Sequence, residues 1–304
     1  MPKKTPQRLA FMGATAVSSP GGFDAAIFGA PHGTPYRGID NRVHAGTAPA
    51  LRVAVKADAE WLEHWDFDLG GPMLAKGFEV ADLGDLKTKP TDGPGNRRLI
   101  RLQTSDILAA GAVPIMIGGD DSTPIPFIEA FAGHGPLTVL QIDAHIDWRD
   151  ERYGEPYGFS STMRRASELS HVERIVQVGM RGMGSAREQE VREATSWGAS
   201  FVTARDIHHD GVDAVLSLIP MGSRCLVTLD CDALDSSIMP AVAYPSPGGL
   251  TFIQVVDLIH GVAEKAKLVG FDLIEFVPKK DRDGLAAFTA ARIICNVLGC
   301  LARS

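Results

Sequence analysis

The stretch Leu137-Thr-Val-Leu-Gln-Ile-Asp143-Ala-His145-Ile-Asp147 constrains this chain more than any other. Its β-branched and aliphatic run reads as a buried strand, and its polar end carries Asp, His and Asp at alternate positions. Strand side chains alternate faces, so Asp143, His145 and Asp147 converge if the extended backbone continues past Ile142. Carboxylates joined by imidazole suit manganese, nickel, zinc or iron, whereas an all-oxygen cage suits calcium or magnesium. The competing interpretation is a polar strand end with a capping Asp, and the rest of the chain decides between them.

Three further apolar runs end in acids. Residues 113–117 lead into Gly118-Gly119-Asp120-Asp121-Ser122, residues 224–229 into Asp230-Cys231-Asp232, and the run from Leu268 to Pro278 is interrupted by Asp272 and Glu275. With runs at 23–29, 80–86, 137–142, 175–179 and 200–204, about eight strands alternate with helical patterns at 48–64, 96–110, 186–197, 212–219, 251–266 and 285–303. That alternation predicts an α/β fold with a parallel sheet covered on both faces. In such sheets ligands bind outside the carboxyl ends of the strands, so the four acidic tips are expected in one crevice. Carboxylates buried together repel and lose hydration unless cations sit among them. The cluster therefore calls for metal.

With 304 residues, 45% of them hydrophobic and 22% charged, the chain is long enough for one large core. A polar, Pro/Gly-rich arm is expected over residues 1–22, followed by one domain over 23–304. A net charge of −7 without a basic run disfavours nucleic acid, and no apolar stretch reaches membrane-spanning length. Four cysteines without C-x-x-C spacing read as reduced thiols, and the N-terminus lacks a secretory h-region, so a soluble, cytoplasmic protein is expected.

Taken together, Gly118-Gly-Asp-Asp-Ser122, Asp143-Ala-His-Ile-Asp147 and Asp230-Cys-Asp-Ala-Leu-Asp235 resemble the signature motifs of the ureohydrolases, the family of arginases and agmatinases. Pro247-Gly-Gly-Leu250, Glu275, the loop Gly29-Ala-Pro-His-Gly-Thr-Pro35 and Ala48-Pro-Ala-Leu-Arg52 extend the resemblance over nearly the whole chain. The resemblance implies a three-layer α/β/α fold around an eight-stranded parallel sheet, two manganese ions bridged by hydroxide (nickel being the second choice), and a homotrimer or homohexamer. It implies Asp121, Asp143, His145, Asp147, Asp230 and Asp232 as metal ligands, Asp147 as proton shuttle, and Glu275 as the acceptor for a substrate guanidinium. Hydroxide attack on the guanidinium carbon of agmatine or a related guanidino compound would then give urea and an amine.

The chain departs from the family at three places. Asp121 stands where the family usually has His, the loop Tyr157-Gly-Phe-Ser-Ser-Thr-Met-Arg-Arg165 lacks the family's His-Gly pair, and Ser236 stands where Pro is common. Proton delivery and substrate contact would then fall to Ser160, to water or to the more distant His32. Two other functions compete with the hydrolase: a catalytically weak subunit that supports an active homologue in a mixed oligomer, and a single-metal deacetylase-like amidohydrolase. The His-His pair usual in such deacetylases has its counterpart only in His208-His209, within a polar segment that reads as a surface loop. His44, His64, His134, His171 and His260 have no ligand-like neighbours in sequence.

Overall fold

A computed structural model describes residues 8–184 and 186–304. The expected strands form at Ala25–Gly29 (β2), Val80–Asp85 (β3), Val113–Ile117 (β4), Leu137–Ile142 (β5), Val172–Val178 (β6), Ser200–Val202 (β7), Arg224–Asp230 (β8) and Lys267–Ile274 (β9). A ninth, Ala14–Ala16 (β1), lies inside the segment expected as an arm and pairs in parallel with β3. Phe11, 1% exposed, packs into the core and its N–H donates to Asp82 at 2.8 Å, which ties this segment down. Residues 1–7 of the expected arm lie outside the described residues.

All strand pairs are parallel and the order is β1-β3-β2-β4-β9-β8-β5-β6-β7. Period-2 alternation sends Ile115, Ile117, Leu140 and Ile142 to one face, and Met116, Leu137 and Val139 to the other. On the first face lie Thr47–Ala54 (α1), Ala204–Asp210 (α6), Asp213–Leu218 (α7), Phe252–Lys265 (α8) and Leu285–Leu301 (α9). The second face is covered by Gly93–Ala109 (α2), Pro124–Glu129 (α3), Thr162–Ser167 (α4) and Glu188–Trp197 (α5). The result is a three-layer α/β/α molecule. Among the described residues no helix is long and apolar enough to cross a membrane.

Helix α6 corrects the reading of residues 204–210 as strand end and surface loop. Thr203 and Asp206 form a reciprocal capping box, the T-x-x-D signal that starts the helix. His208 within it is within 3.0 Å of the Gly249 carbonyl.

The four acid-tipped strands are the four neighbours β4-β9-β8-β5 at the middle of the sheet. That order, which strand-by-strand reading does not reveal, brings their carboxyl ends side by side. The turn after β4 approaches the loop after β2 so closely that a Cβ at Gly119 would sit 2.8 Å from the Pro31 carbonyl oxygen. Beside the site, Arg52 of α1 (4% exposed) spans β3, with its Nε 2.7 Å from Asp82 and its Nη1 2.6 Å from Asp85. Replacing Arg52 by Met takes from the buried Asp82 its closest guanidinium partner and leaves it Arg8 at 3.8 Å. Chemical denaturation is expected to show a loss of about 3–5 kcal/mol; a loss below about 1 kcal/mol would mean that the pair is not buried as described.

Candidate metal centre

Asp143 follows β5 directly, but the extended backbone stops at Ile142. The three side chains of Asp143-Ala-His-Ile-Asp147 still converge, by a different route from strand alternation. Asp147 adopts φ +42°, a left-handed conformation that turns its carboxylate back beside Asp143. Glu275, one residue past β9, likewise has φ +63°. Such backbone conformations in non-glycine residues are held only where surroundings over-determine them, and here both deliver a carboxylate to one place.

Two sets of ligand atoms each gather within 4.8 Å: Asp143, His145 and Asp232, and Asp121, Asp143 and Asp147. Asp143 belongs to both. Asp230 lines the same cavity, but its carboxylate falls outside both sets and accepts from the Asp232 N–H at 2.7 Å. Cys231 is buried and joins neither set among the described residues. Beneath the ligands, Gln141 donates to Asp143 at 2.8 Å and to Asp147 at 2.9 Å, and is itself held by Gln177. This amide was legible in principle, since a Gln two residues before Asp143 in an aliphatic strand shares its face.

Burial raises the carboxyls of Asp121, Asp143, Asp147 and Asp230 above their usual range, and the mutual repulsion of neighbouring acids adds to it. Burial also pushes Glu275 up to about 7, against the pull of His44. For His145 burial acts the other way, yet hydrogen bonds and charge from Asp143 and Asp232 outweigh it and carry the imidazole up to about 12. Asp121 Oδ2 is buried without a hydrogen-bond partner. An orphan carboxylate oxygen among crowded acids, beside a second set that contains an imidazole, is a donor arrangement that could hold divalent cations.

Sequence reading missed His44. It is 4% exposed, lines the cavity, lies 3.1 Å by Nδ1 from the Phe276 carbonyl and directs Nε2 at Glu275 Oε2 over 3.3 Å. Glu275 Oε1 accepts from the Asp121 N–H at 3.0 Å, so both carboxylate oxygens are oriented. Ser160 lies in the cavity wall. His32 does not. Its ring and its N–H are both held by Thr88 Oγ1, at 3.0 and 3.1 Å, and it is absent from the cavity wall. The paired positive charges at Arg164 and Arg165 are spent on Asp150, Glu168 and Glu193, away from the site.

The Arginase family model matches residues 23–300. The chain is 30% identical to the guanidino acid hydrolase, mitochondrial, of Homo sapiens, over 92% of this chain and 79% of that one. It is 35% identical to the N(1)-aminopropylagmatine ureohydrolase of Thermus thermophilus, over 67% of this chain and 68% of the relative. The solved structure of proclavaminate amidino hydrolase from Streptomyces clavuligerus superposes with a TM-score of 0.85 at 27% identity, covering 98% of both chains.

The raised carboxyls set a pH dependence for the metal-free protein. A group whose folded pKa lies above its unfolded value stabilises the fold below the unfolded value and loses that contribution as pH rises through the folded one. For Glu275 the window runs from the ordinary glutamate range to about 7, and for His145 from the ordinary histidine range to about 12; the raised aspartyls act in the same direction. A divalent cation needs the deprotonated acids and an unprotonated imidazole, so its stabilisation grows over the same range. The rise in melting temperature produced by saturating manganese is expected to be larger at pH 8 than at pH 5.5. An equal rise at both values would contradict the coupling.

Proposed function

The chain belongs to the arginase family, and from that premise we propose that it is a binuclear-metal amidinohydrolase that releases urea from agmatine or a related small guanidino compound. The observation that carries the reading is the pair of ligand sets that share Asp143. Asp121, Asp143 and Asp147 would hold one cation, and Asp143, His145 and Asp232 the other, with Asp230 at the edge. Manganese is the first choice for so oxygen-rich a set, and nickel the second. When bound, the cations lower the pKa of water far enough to make it a nucleophile near neutral pH.

The protein's own contribution is orientation and proton handling. Glu275, fixed by the Asp121 N–H and by His44, presents a carboxylate to a planar guanidinium, whose charge favours the ionised form of an acid otherwise near 7. Gln141 fixes the carboxylates of Asp143 and Asp147, and Asp147 would take and pass on a proton at the reacting position. Ser160 in the cavity wall is available to the leaving amine. Trimeric or hexameric assembly is part of the same proposal. The exposed apolar group Trp61, Trp65 and Phe67 supports it as an interface, and four free, buried cysteines support a reducing, cytoplasmic setting.

A catalytically weak partner subunit is the second reading, favoured by Asp121 in place of a ligating His. One experiment separates the two. Manganese-loaded protein purified alone is assayed for urea from a panel of guanidino compounds, beside Glu275→Gln. The hydrolase reading predicts urea from at least one compound and a fall in kcat/KM of roughly 10²-fold for the variant at unchanged metal content. No urea from any compound, with metal bound, would transfer the case to the partner subunit.

A further inference from the structure

The cavity of about 600 Å³ over the acidic cluster is polar in both senses of charge. One side of its lining carries Asp120, Asp121, Asp147, Asp230, Asp232 and Glu275, and the mouth carries donors. Arg152 is presented there by a tight hairpin turn. Its N–H donates to the Glu155 carbonyl at 3.2 Å, the Glu155 N–H donates back at 3.1 Å, and Tyr153 and Gly154 between them have φ +57° and +78°. This turn lies in the loop that follows Asp147, near the place where the family's His-Gly pair is missing.

The Arg152 guanidinium rests against aromatic rings, 5.0 Å from the Tyr153 centroid, 5.5 Å from Tyr36 and 5.9 Å from Phe159. Among the described residues it forms no ion pair, and its one side-chain hydrogen bond is to the Tyr153 hydroxyl at 3.4 Å. Stacking fixes the plane of the fork and leaves its donors to be satisfied by something else.

Two neighbours in the cavity wall have the same character. Asn41 is 5% exposed and its Nδ2 is buried without an acceptor. Lys280 uses two of its three N–H groups on the Val242 and Ala243 carbonyls, at 2.7 and 2.9 Å. Asp40, an acid in the same wall, is already occupied by Arg42, through Nε at 2.7 Å and Nη2 at 2.8 Å. The mouth therefore offers positive charge and free donors, and the apolar wall from Val43, Phe159 and Val277 lies along the way.

We infer that the substrate carries a carboxylate at the end opposite its guanidinium, an ω-guanidino carboxylate, and that Arg152 is the residue that reads it. A substrate with an amine tail would bring a second cation to Arg152 and Lys280, where the neighbouring Asp40 is already paired with Arg42. The inference rests on the amidinohydrolase reading for the guanidinium end only.

The test compares two substrates that differ at the tail alone, 4-guanidinobutanoate and agmatine, on manganese-loaded protein. Urea release is measured together with titration calorimetry of 4-guanidinobutanoate binding, for the natural chain, Arg152→Met and Arg152→Lys. The natural chain should prefer the carboxylate by about 10- to 100-fold in kcat/KM, the scale of one charged hydrogen bond. Arg152→Met should remove that preference chiefly through KM and weaken binding by a similar factor, while Arg152→Lys should keep part of both. Arg152 is half-buried on a surface turn, so melting temperatures of the variants report whether the fold is intact.

A preference for agmatine, or a carboxylate preference and binding unchanged in Arg152→Met, would overturn the inference and leave the hydrolase reading standing. No urea from either compound, with Arg152-dependent binding of 4-guanidinobutanoate, would do the reverse. Absence of both urea and binding would remove the inference as well.

Discussion

The electrostatic problem at the centre of the sheet organises the rest of this molecule. Four neighbouring parallel strands end in acids, and their carboxyl groups are buried against one another. Repulsion and lost hydration would drive such a set apart unless the backbone forces it together and a positive charge is supplied. The backbone does its part through β4-β9-β8-β5 adjacency and through left-handed residues at Asp147 and Glu275. The hydrogen bonds from Gln141 and from the N–H groups of His145, Asp232 and Asp121 hold the carboxylate oxygens in fixed directions. What that scaffold leaves open is charge, and divalent cations would supply it.

The same scaffold separates two ends of the cavity. The acids are set at the carboxyl ends of the strands and in the turns just past them, and the donors are set farther out, Asn41 and Lys280 on short 3-10 turns and Arg152 on a hairpin turn. A bond-breaking centre gains from rigidity, whereas tail recognition tolerates loop variation, so one sheet serves many substrates. The carboxylate of Glu275, which we propose accepts the guanidinium, stands at the boundary, bonded on one side to the β4 turn and on the other to His44 from the 3-10 turn preceding α1.

Much of the centre was legible because acids are rare at the ends of aliphatic runs, and a run of period-2 apolar residues marks where a strand stops. Asp121, Asp143, His145, Asp147 and Asp232 were readable in that way and meet in the two ligand sets. The route to convergence was not, since nothing local distinguishes a left-handed Asp147 from a continued strand. Neither was the standing of Asp230, which shares its neighbours' sequence pattern but bonds to the Asp232 N–H outside both sets. His44 and Arg152 escaped because their meaning is non-local. One depends on Glu275, 231 positions away in the chain by their residue numbers, and the other on rings from Tyr36 and Phe159. His32 failed in the opposite direction, sitting in a loop of the right kind but held by Thr88. The edge strand Ala14–Ala16 was hidden by its length, because three residues are too few to show a period.

The most direct test of the central claim is metal content by elemental analysis of the natural chain and of Asp143→Ala, each loaded with manganese and dialysed. If two cation sites share Asp143, the natural chain retains two ions per chain and the variant loses both sites, while circular dichroism shows the fold retained. Two ions retained by Asp143→Ala, or none by the natural chain, would contradict the account.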